Sequence, residues 1–436
     1  MALPDTGVFV DFFAPRGAGV FILTHCHSDH LRGLSAGWRG GFIHCSHISA
    51  ALLVHRGLCP ARLLRPHGLE EAFTIEDPRH PRRELTGYFV DAGHCPGSVV
   101  AVVLGVPGGP IVNTGDVRVH EGLFQSPVLK RLASGDCGTV QHLFLDTTWA
   151  HPDLLRLPQF ENSIDAAVDV IEACPASATI VLQSFFGDEE LLKGIAAATA
   201  HRGRLLFASE SRFSEVNICD LDLSRSCERL ASNCARGRVV VVESRGWRSD
   251  TRLQHLDCVA LSCSTLWWAT RAPALLSEKT EPILCGGIWR VVFAMHSSLS
   301  ELRDLVAFLR PRHVEPLVPF ICQGSWGGSA STSALFDDLL CPERPAPPES
   351  PAAAPPERPA PPERPAPPES PAPPDTLAML HDSRWDMLAS HVGIPGSARR
   401  LKRRRTATTE VDSLSDSAAS CSDTLPDDLD ETPLLG

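Results

Sequence analysis

Four histidine and aspartate side chains that can bind a metal ion stand within six residues near the start of the chain, in the run His25-Cys26-His27-Ser28-Asp29-His30. Neutral imidazoles combined with carboxylates suit zinc and similar divalent ions. The run follows the apolar stretch 20–23, which predicts a buried strand. The ligands therefore stand on a loop at a strand's end, where α/β folds place their sites, and the pattern predicts a metal centre.

Two further candidate ligands follow later strand-like runs. His94 lies in the Gly- and Pro-rich segment 91–98, and Asp116 closes the segment 113–116. A carboxylate at Asp116 could bridge two ions at the spacing of about 3.5–4 Å that two-metal hydrolases use. The alternative for a lone aspartate in such a segment is a simple turn former.

The three motifs in this order, His-x-His-x-Asp-His, Gly-His-Cys-Pro-Gly-Ser and Thr-Gly-Asp, resemble the metallo-β-lactamase superfamily. Residues 145–148 and 295–302 resemble motifs A and C of its β-CASP branch, and 93–98 resembles the DNA cross-link-repair nucleases of that branch. The resemblance covers residues 8 to about 320. It implies a four-layer αββα metallo-β-lactamase fold with an inserted β-CASP domain and a disordered C-terminal tail.

The resemblance implies a role for each matching residue. The implied metal ligands, with Asp116 shared by two ions, are His25, His27, Asp29, His30, His94, Asp116 and His296. The implied cofactor is zinc, as one or two ions, with Mg²⁺ or Mn²⁺ as alternatives. The implied catalytic carboxylates are Asp29, Asp116 and Asp146, of which Asp146 would orient a ligand histidine. Residues expected to support the site or touch substrate are Asp11, Ser98, Ser184 and His255.

Two positions depart from the family pattern. The motif B histidine aligns with Val240, or with His255 under a shifted alignment. Family exonucleases that prefer a 5′-phosphorylated end resemble one another in a Ser-x-Gly-Lys-Glu pocket, and the matching stretch here is 184–189. Asp188 stands there in place of the lysine, and its like charge disfavours a phosphate.

The resemblance implies a metal-dependent DNA nuclease of the nucleus, with DNA and repair or telomere proteins as partners, the proteins binding through the tail. Residues 264–268 and 293–296 resemble the Artemis-type branch, which acts in end joining, more than the Apollo-type branch of 5′ exonucleases. The Apollo-type function and a noncatalytic DNA-binding member are the alternatives. Motifs A and C disfavour hydrolysis of small thioesters or lactams, and the cross-link-repair resemblance disfavours RNA processing.

Strand-like runs such as 99–104 and 239–242 alternate with helix-like stretches at 164–174, 189–200 and 299–309, which predicts a layered α/β fold. The 15 scattered cysteines lack a Cys-x-x-Cys pair, so we expect reduced thiols and neither a disulfide framework nor a zinc ribbon. No apolar run is long enough for a membrane helix and the first residues lack a secretory pattern, so we expect an intracellular protein.

The predicted divisions are the first part of the metallo-β-lactamase domain (1–158), the β-CASP insertion (159–282), the closing part of the first domain (283–335), a Pro-rich linker (336–376), and a basic cluster with an acidic tail (377–436). The net charge of −12 comes mostly from the acidic tail, which carries eight acidic residues and no Lys or Arg between Glu410 and Glu431. The basic cluster 399–405 could be a nuclear import signal, a phosphate-binding arm, or a solvated segment. Trp267 and Trp268 could stack on bases, but burial in the core is the favoured interpretation.

Overall fold

The computed structural model describes residues 1–13, 19–231, 234–243, 245–318 and 332–342. The linker beyond residue 342, the basic cluster 399–405 and the acidic tail lie outside these residues. The described chain is a mixed α/β protein with three sheets, and its cysteines are free thiols. Within the described ranges, no helix is both long and apolar enough to cross a bilayer.

A parallel sheet of four strands carries the first ligand loop. In spatial order its strands are β1 (Val8–Val10), β2 (Val20–Ile22), β3 (Ile43–Ser46) and β4 (Leu64–His67). Helix α1 (His47–His55) begins directly after β3, because the Ser46 hydroxyl accepts a hydrogen bond of 3.1 Å from the Ser49 N–H. The loop that follows β2 places the first three histidines at the carboxyl edge of this sheet.

A second sheet, of six strands, carries the later ligand turns. Its strands are β5 (Phe73–Glu76), β6 (Glu84–Asp91), β7 (Val99–Leu104), β8 (Ile111–Asn113), β9 (His142–Leu145) and β17 (His313–Pro316). They are ordered β17-β9-β8-β7-β6-β5, antiparallel from β5 to β8 and parallel from β8 to β17. Because β17 pairs with β9, a distant part of the chain returns beside the ligand turns.

The two sheets face each other across one apolar layer. Val10 and Ile22 of the first sheet share that core cluster with Leu85 and Phe89 of the second. The other face of the second sheet packs on α2 (Glu121–Gln125), α3 (Pro127–Ala133) and α9 (Leu299–Leu309). With α1 packed on β3 and β4, these elements form the predicted four-layer αββα arrangement.

A third sheet has seven strands. They are β10 (Thr179–Gln183), β11 (Leu205–Phe207), β12 (Cys227–Arg229), β13 (Val239–Val242), β14 (Cys258–Cys263), β15 (Ile283–Cys285) and β16 (Ile288–Val291). Their order is β12-β11-β13-β10-β14-β16-β15, and every pair is parallel except β15 with β16. The helices of this region are α4 (Phe160–Glu172), α5 (Glu189–Ala198), α6 (Glu210–Cys219), α7 (Leu221–Arg225) and α8 (Thr265–Arg271).

We propose that this third sheet and its helices form the inserted domain. The sequence places the end of the insertion at residue 282, whereas β15 and β16 still pair within the third sheet, so the proposed end moves to about residue 291. Trp267 and Trp268 in α8 are 5% and 1% exposed, which confirms the core interpretation and rules out base stacking by either ring.

Candidate metal centre

The ligand loop after β2 folds back against the end of β1. The His30 N–H donates to the His27 carbonyl at 3.2 Å, which closes a tight turn. Asp11 reaches the same place from β1: its Oδ1 accepts from the Thr24 N–H at 2.8 Å, and its Oδ2 accepts from His30 Nδ1 at 2.8 Å. Asp11 therefore lies where the sequence predicts a supporting carboxylate.

Ligand atoms of four predicted residues lie within 4.8 Å of one another: His25, His27, His94 and Asp116. His94 reaches this cluster from the turn after β6, where Gly93 has a φ of +65°. Ser98 holds that turn, because its Oγ accepts from the His94 N–H at 3.2 Å and the Cys95 N–H at 3.1 Å. Ser98 is 2% exposed, so it fixes the turn from its buried side.

The protonation of His27 and His94 points to a cation between them. His27 Nε2 is 2.9 Å from the Phe186 carbonyl, and His94 Nδ1 is 2.9 Å from the Met295 carbonyl. A carbonyl oxygen can only accept, so each neutral imidazole donates its single N–H there. The remaining nitrogens, His27 Nδ1 and His94 Nε2, then face each other at 2.9 Å as two lone pairs. A shared metal ion would resolve that repulsion.

His25 also has one nitrogen that donates a hydrogen bond and one that is left with a lone pair. Its Nδ1 is 3.0 Å from the Thr24 hydroxyl, which donates its own proton to Asp11, so His25 Nδ1 is the donor. The other nitrogen, Nε2, is buried without a hydrogen-bond partner and lies 3.4 Å from Asp116 Oδ2. A buried lone pair beside a carboxylate fits a metal ligand.

Asp116 also belongs to a second set of ligands. His30 Nε2 lies 3.3 Å from Asp116 Oδ1 and 3.4 Å from Asp29 Oδ2. Asp116, Asp146 and His296 form another cluster with ligand atoms within 4.8 Å. The predicted ligands of the second ion, Asp29, His30, Asp116 and His296, are thus linked by pairwise contacts around Asp116. Among the described residues, Asp29 belongs to no group of three ligand atoms within 4.8 Å of one another. Asp116 stands between the two sets, as a bridging carboxylate would.

The pKa shifts describe a site prepared for positive charge. Burial, and then the neighbouring His94, lowers the pKa of His27 to about 3, and burial with His296 lowers the pKa of His94 to about 4. Burial disfavours a charged His296, but the combined attraction of Asp146 and Asp116 raises its pKa to about 9. The imidazoles of His27 and His94 are therefore neutral, while Asp146 and Asp116 create a strongly negative potential around His296.

Asp146 lies in the cluster with Asp116 and His296, and its contact within that cluster is to His296. Its Oδ2 accepts from His296 Nδ1 at 2.8 Å and from the Val117 N–H at 3.0 Å, while its Oδ1 accepts from the Thr148 N–H at 3.0 Å. The Asp146 side chain is 1% exposed. The residue predicted to orient a ligand histidine thus contacts one, and its full hydrogen-bonding fixes the imidazole with Nε2 free.

Neither motif B candidate belongs to the ligand clusters found among the described residues. His255 is exposed and precedes β14, whose Cys258 pairs with Thr179 at the amino end of β10. Contact with the metal centre comes from the opposite, carboxyl end of β10, so roughly five strand residues at about 3.3 Å each separate His255 from it. Val240 is buried in the middle of β13, opposite Val181. The assignment of His255 to the site is therefore wrong, because the parallel pairing places it at the far edge of the sheet.

Ser184 does not face a substrate either. It is fully buried, and its Oγ donates to Asp188 Oδ1 at 2.7 Å. Asp188 also accepts from the Phe185 N–H at 3.2 Å and from Arg212 Nη2 at 3.1 Å. Burial raises the pKa of the Asp188 carboxyl to about 6, against the opposing attraction of Arg212. Of the two roles predicted for Ser184, contact with substrate is disfavoured, because the buried hydroxyl donates to an internal carboxylate, and support of the site stays a prediction.

The sequence missed the groups that fix the histidines through the backbone. The carbonyls of Phe186 and Met295 orient His27 and His94, and every residue type offers a carbonyl. It also missed Arg118, which is 2% exposed and donates to the His296 carbonyl at 3.0 Å. The position of Arg118, two residues after Asp116, is a signal that sequence inspection could have used.

Comparison with known proteins agrees with this geometry. A family model described as DNA repair metallo-beta-lactamase matches residues 209–321, which include His296 and α9. The "5' exonuclease Apollo" of Gallus gallus is 29% identical over 322 residues, covering 72% of this chain and 63% of the relative. The "DNA cross-link repair protein SNM1" of Arabidopsis thaliana is 25% identical over 369 residues, covering 78% and 69%. The "Protein artemis" of Homo sapiens is 23% identical over 337 residues, covering 69% and 46%.

The chain carries a DNA repair metallo-β-lactamase domain over residues 209–321 and is similar to the Apollo and Artemis proteins. It spans less than two thirds of the length of the Apollo and Artemis relatives, at 63% and 46%. Metal binding is implied by the metallo-β-lactamase domain, and the clustered histidines and Asp116 supply the ligand atoms for it. The chain departs from the pattern of the resembling nucleases at motif B and at the Asp188 pocket.

Proposed function

We propose that this chain is a metal-dependent DNA nuclease that hydrolyses phosphodiester bonds at DNA ends during repair. The observation that carries the proposal is the convergence of unprotonated imidazole nitrogens on Asp116, in a family whose named members include 5′ exonucleases and cross-link repair proteins. Relatives with these names support DNA as the substrate. The nucleus is the proposed compartment for the same reason.

We propose zinc, as one or two ions, because neutral imidazole nitrogens dominate the ligand set and suit zinc better than they suit Mg²⁺. The first ion would be held by His25, His27, His94 and Asp116, and the second by Asp29, His30, Asp116 and His296. Bound metal would lower the pKa of a water molecule and neutralise charge on the phosphate.

The chain's own carboxylates would divide the remaining work by their exposure. The Asp29 side chain is 17% exposed, that of Asp116 is 9%, and that of Asp146 is 1%. Asp29 is therefore best placed to accept a proton from an attacking water at its Oδ atoms. Asp116, which is largely shielded from solvent, would bind metal. Asp146 would hold His296 in position.

We propose that cleavage does not require a 5′-phosphate. The three donors that meet near β10, the Ser184 hydroxyl, the Phe185 N–H and the Arg212 guanidinium, all bind Asp188. An internal carboxylate thus takes the donors that could otherwise bind a phosphate. This favours an Artemis-type nuclease that accepts varied ends. The Apollo-type 5′ exonuclease is the second candidate, favoured by the higher identity, 29% against 23%.

The experiment measures cleavage of end-labelled single-stranded, overhanging and hairpin DNA, each with a 5′-phosphate or a 5′-hydroxyl. Wild type is compared with Asp29→Ala and with the control variant Asp153→Asn. The Asp153 side chain is 72% exposed, and its neighbour His151 is not a proposed metal ligand. We expect zinc-dependent cleavage of both end types by wild type and Asp153→Asn, and loss in Asp29→Ala or with chelator.

Stepwise digestion that depends on the 5′-phosphate would favour the Apollo-type function instead. Absence of metal-dependent cleavage on every substrate would overturn the nuclease proposal in favour of a noncatalytic DNA-binding member. We also propose that repair or telomere proteins bind through the tail and that the basic cluster 399–405 acts in nuclear import, which localisation of a charge-neutralised variant would test.

A further inference from the structure

Phe185 is a large exposed aromatic residue in the loop that contacts the metal centre through its next residue. It directly follows β10 and Ser184, and half of it, 50%, is exposed. The next residue is Phe186, whose carbonyl lies 2.9 Å from His27 Nε2. Adjacent Cα atoms are about 3.8 Å apart, so the Phe185 backbone is one peptide unit from a group that touches a proposed metal ligand.

Buried charges hold the backbone on both sides of this ring. The Phe185 N–H donates to Asp188 Oδ2 at 3.2 Å, and its carbonyl accepts from Arg212 Nη2 at 2.7 Å. The Gly187 N–H donates to Glu189 Oε2 at 2.9 Å. Arg212 is fully buried and pairs with both Asp188 and Glu189, at 3.1 and 2.6 Å.

This anchoring explains why an exposed ring can be useful here. Hydrogen bonds to charged, buried groups are short and directional, so the loop is held in one conformation before any ligand arrives. The same network consumes the donors that could grip a terminal phosphate, with Asp188 as the internal anion. What the loop offers to a DNA strand is therefore an exposed aromatic side chain on an anchored backbone, one residue from the carbonyl that contacts His27.

We propose that Phe185 stacks on an unpaired nucleobase next to the scissile phosphate and so positions single-stranded DNA in the metal centre. The proposal rests on the nuclease function proposed above and names the substrate feature that the site recognises. Aromatic rings beside a strand-binding groove stack on bases with little sequence preference. The buried Trp267 and Trp268 cannot do this, whereas Phe185 is both exposed and adjacent to the site.

The test measures binding of a nuclease-resistant phosphorothioate single strand that carries 2-aminopurine, using metal-loaded full-length protein. Stacking quenches 2-aminopurine fluorescence. We expect Phe185→Ala to weaken binding about tenfold and to abolish the quench at one nucleotide position, and Phe185→Trp to retain both. Replacing the base at that position by an abasic site should weaken wild-type binding and leave Phe185→Ala unchanged.

Phe42→Ala is the matched control, because Phe42 is also an exposed phenylalanine, 44% exposed, but lies under Arg65 at 3.7 Å in the first sheet region. It should bind like wild type. Equal affinity and equal quench in wild type and Phe185→Ala, or no binding by wild type, would overturn the stacking proposal. Cleavage by the wild type is measured in parallel. If the strand stacks on Phe185 but no substrate is cleaved, the nuclease proposal is wrong and the base-stacking proposal stands.

Discussion

At the scale of single residues, each metal-facing histidine is defined by the partner of its other nitrogen. His27 and His94 donate to backbone carbonyls, while His30 and His296 donate to Asp11 and Asp146. In its neutral form, an imidazole whose N–H is committed in this way has a lone pair on the opposite nitrogen. The partners therefore determine the ligand set as much as the histidines do.

Asp146→Asn should weaken zinc binding about 10- to 100-fold, because the amide would lose the charge that orients His296 and favours its N–H. Competition with a chromophoric zinc chelator measures the affinity directly. Asp153→Asn is the matched control, since Asp153 lies 3.7 Å from His151 and its side chain is 72% exposed. Equal zinc affinity in wild type and Asp146→Asn would show that the carboxylate does not act through His296.

The sequence could predict the site where its parts are local and could not where they are distant. His25, His27 and His30 are close in the chain, so their types and spacing suffice. The carbonyl of Phe186 that orients His27 comes from 159 residues away and has no residue-type signature. His255 was misplaced because its position depends on which edge of a parallel sheet a loop joins, which the sequence does not encode locally.

At the scale of elements, the periodic segments were predicted closely. The run 99–104 is β7, the run 239–242 is β13, and the stretch 299–309 is α9, each with the predicted ends. These segments have strong apolar patterns and clear boundaries. The order β12-β11-β13-β10-β14-β16-β15 was not predictable, because pairing between strands depends on contacts among residues far apart in sequence.

Glu301 connects the start of α9 to the metal centre. Its carboxylate accepts from the Ser298 N–H at 2.8 Å and Gln159 Nε2 at 2.9 Å, and lies 3.2 Å from the Arg118 guanidinium. Glu301→Ala should lower the free energy of unfolding by about 2–3 kcal/mol, since it removes a helix cap and leaves a buried arginine without its carboxylate. Urea denaturation measures this. Asp304→Ala, an exposed change in the same helix, should cost under about 0.5 kcal/mol.

Asp77 ties the segment before β1 to the loop after β5. It accepts from the N–H groups of Gly7 and Arg79, both at 3.0 Å, and pairs with Arg83. Burial opposes its ionisation, but the hydrogen bonds from Arg83, Gly7 and Arg79 outweigh burial and lower the pKa of Asp77 below its ordinary value near 3.8. Because the folded pKa is the lower one, its stabilisation is present above that ordinary value and is lost as pH falls through the folded pKa.

Asp77→Asn should therefore lower the free energy of unfolding by about 2 kcal/mol at neutral pH, with the deficit shrinking below about pH 4. Urea titrations of wild type and variant across pH 3 to 7 measure both. Glu76→Gln is the control, since Glu76 is the exposed neighbour in β5. A deficit that stays constant down to pH 3 would show that the Asp77 charge is not the source of the stabilisation.

At the scale of the whole molecule, the metal centre joins parts of the chain that are far apart in sequence. Its proposed ligands come from the loops after β2, β6 and β8 and from the segment between β16 and α9, and the Phe186 carbonyl adds a contact from the end of β10. All three sheets thus converge on one point. A bound ion would act as a cross-link among them, in addition to any chemistry it supports.

Removal of metal should therefore destabilise the whole described fold and not one loop. A ligand bound at 1,000 times its Kd stabilises the folded state by about 4 kcal/mol, which for a chain of this size corresponds to a fall in Tm of roughly 5 °C on chelation. The lone pairs of His27 and His94, 2.9 Å apart, would also repel without a cation. Scanning fluorimetry with zinc, with chelator, and with zinc restored measures the shift.

Asp116→Asn should show little of this chelator response, because Asp116 contacts both ligand sets through His25 at 3.4 Å and His30 at 3.3 Å. Asp153→Asn should respond like wild type, since its carboxylate is remote from those histidines. Equal Tm for zinc-loaded and chelated wild type would contradict a metal cross-link. A chelator response of full size in Asp116→Asn would instead place the stabilising ion elsewhere in the molecule.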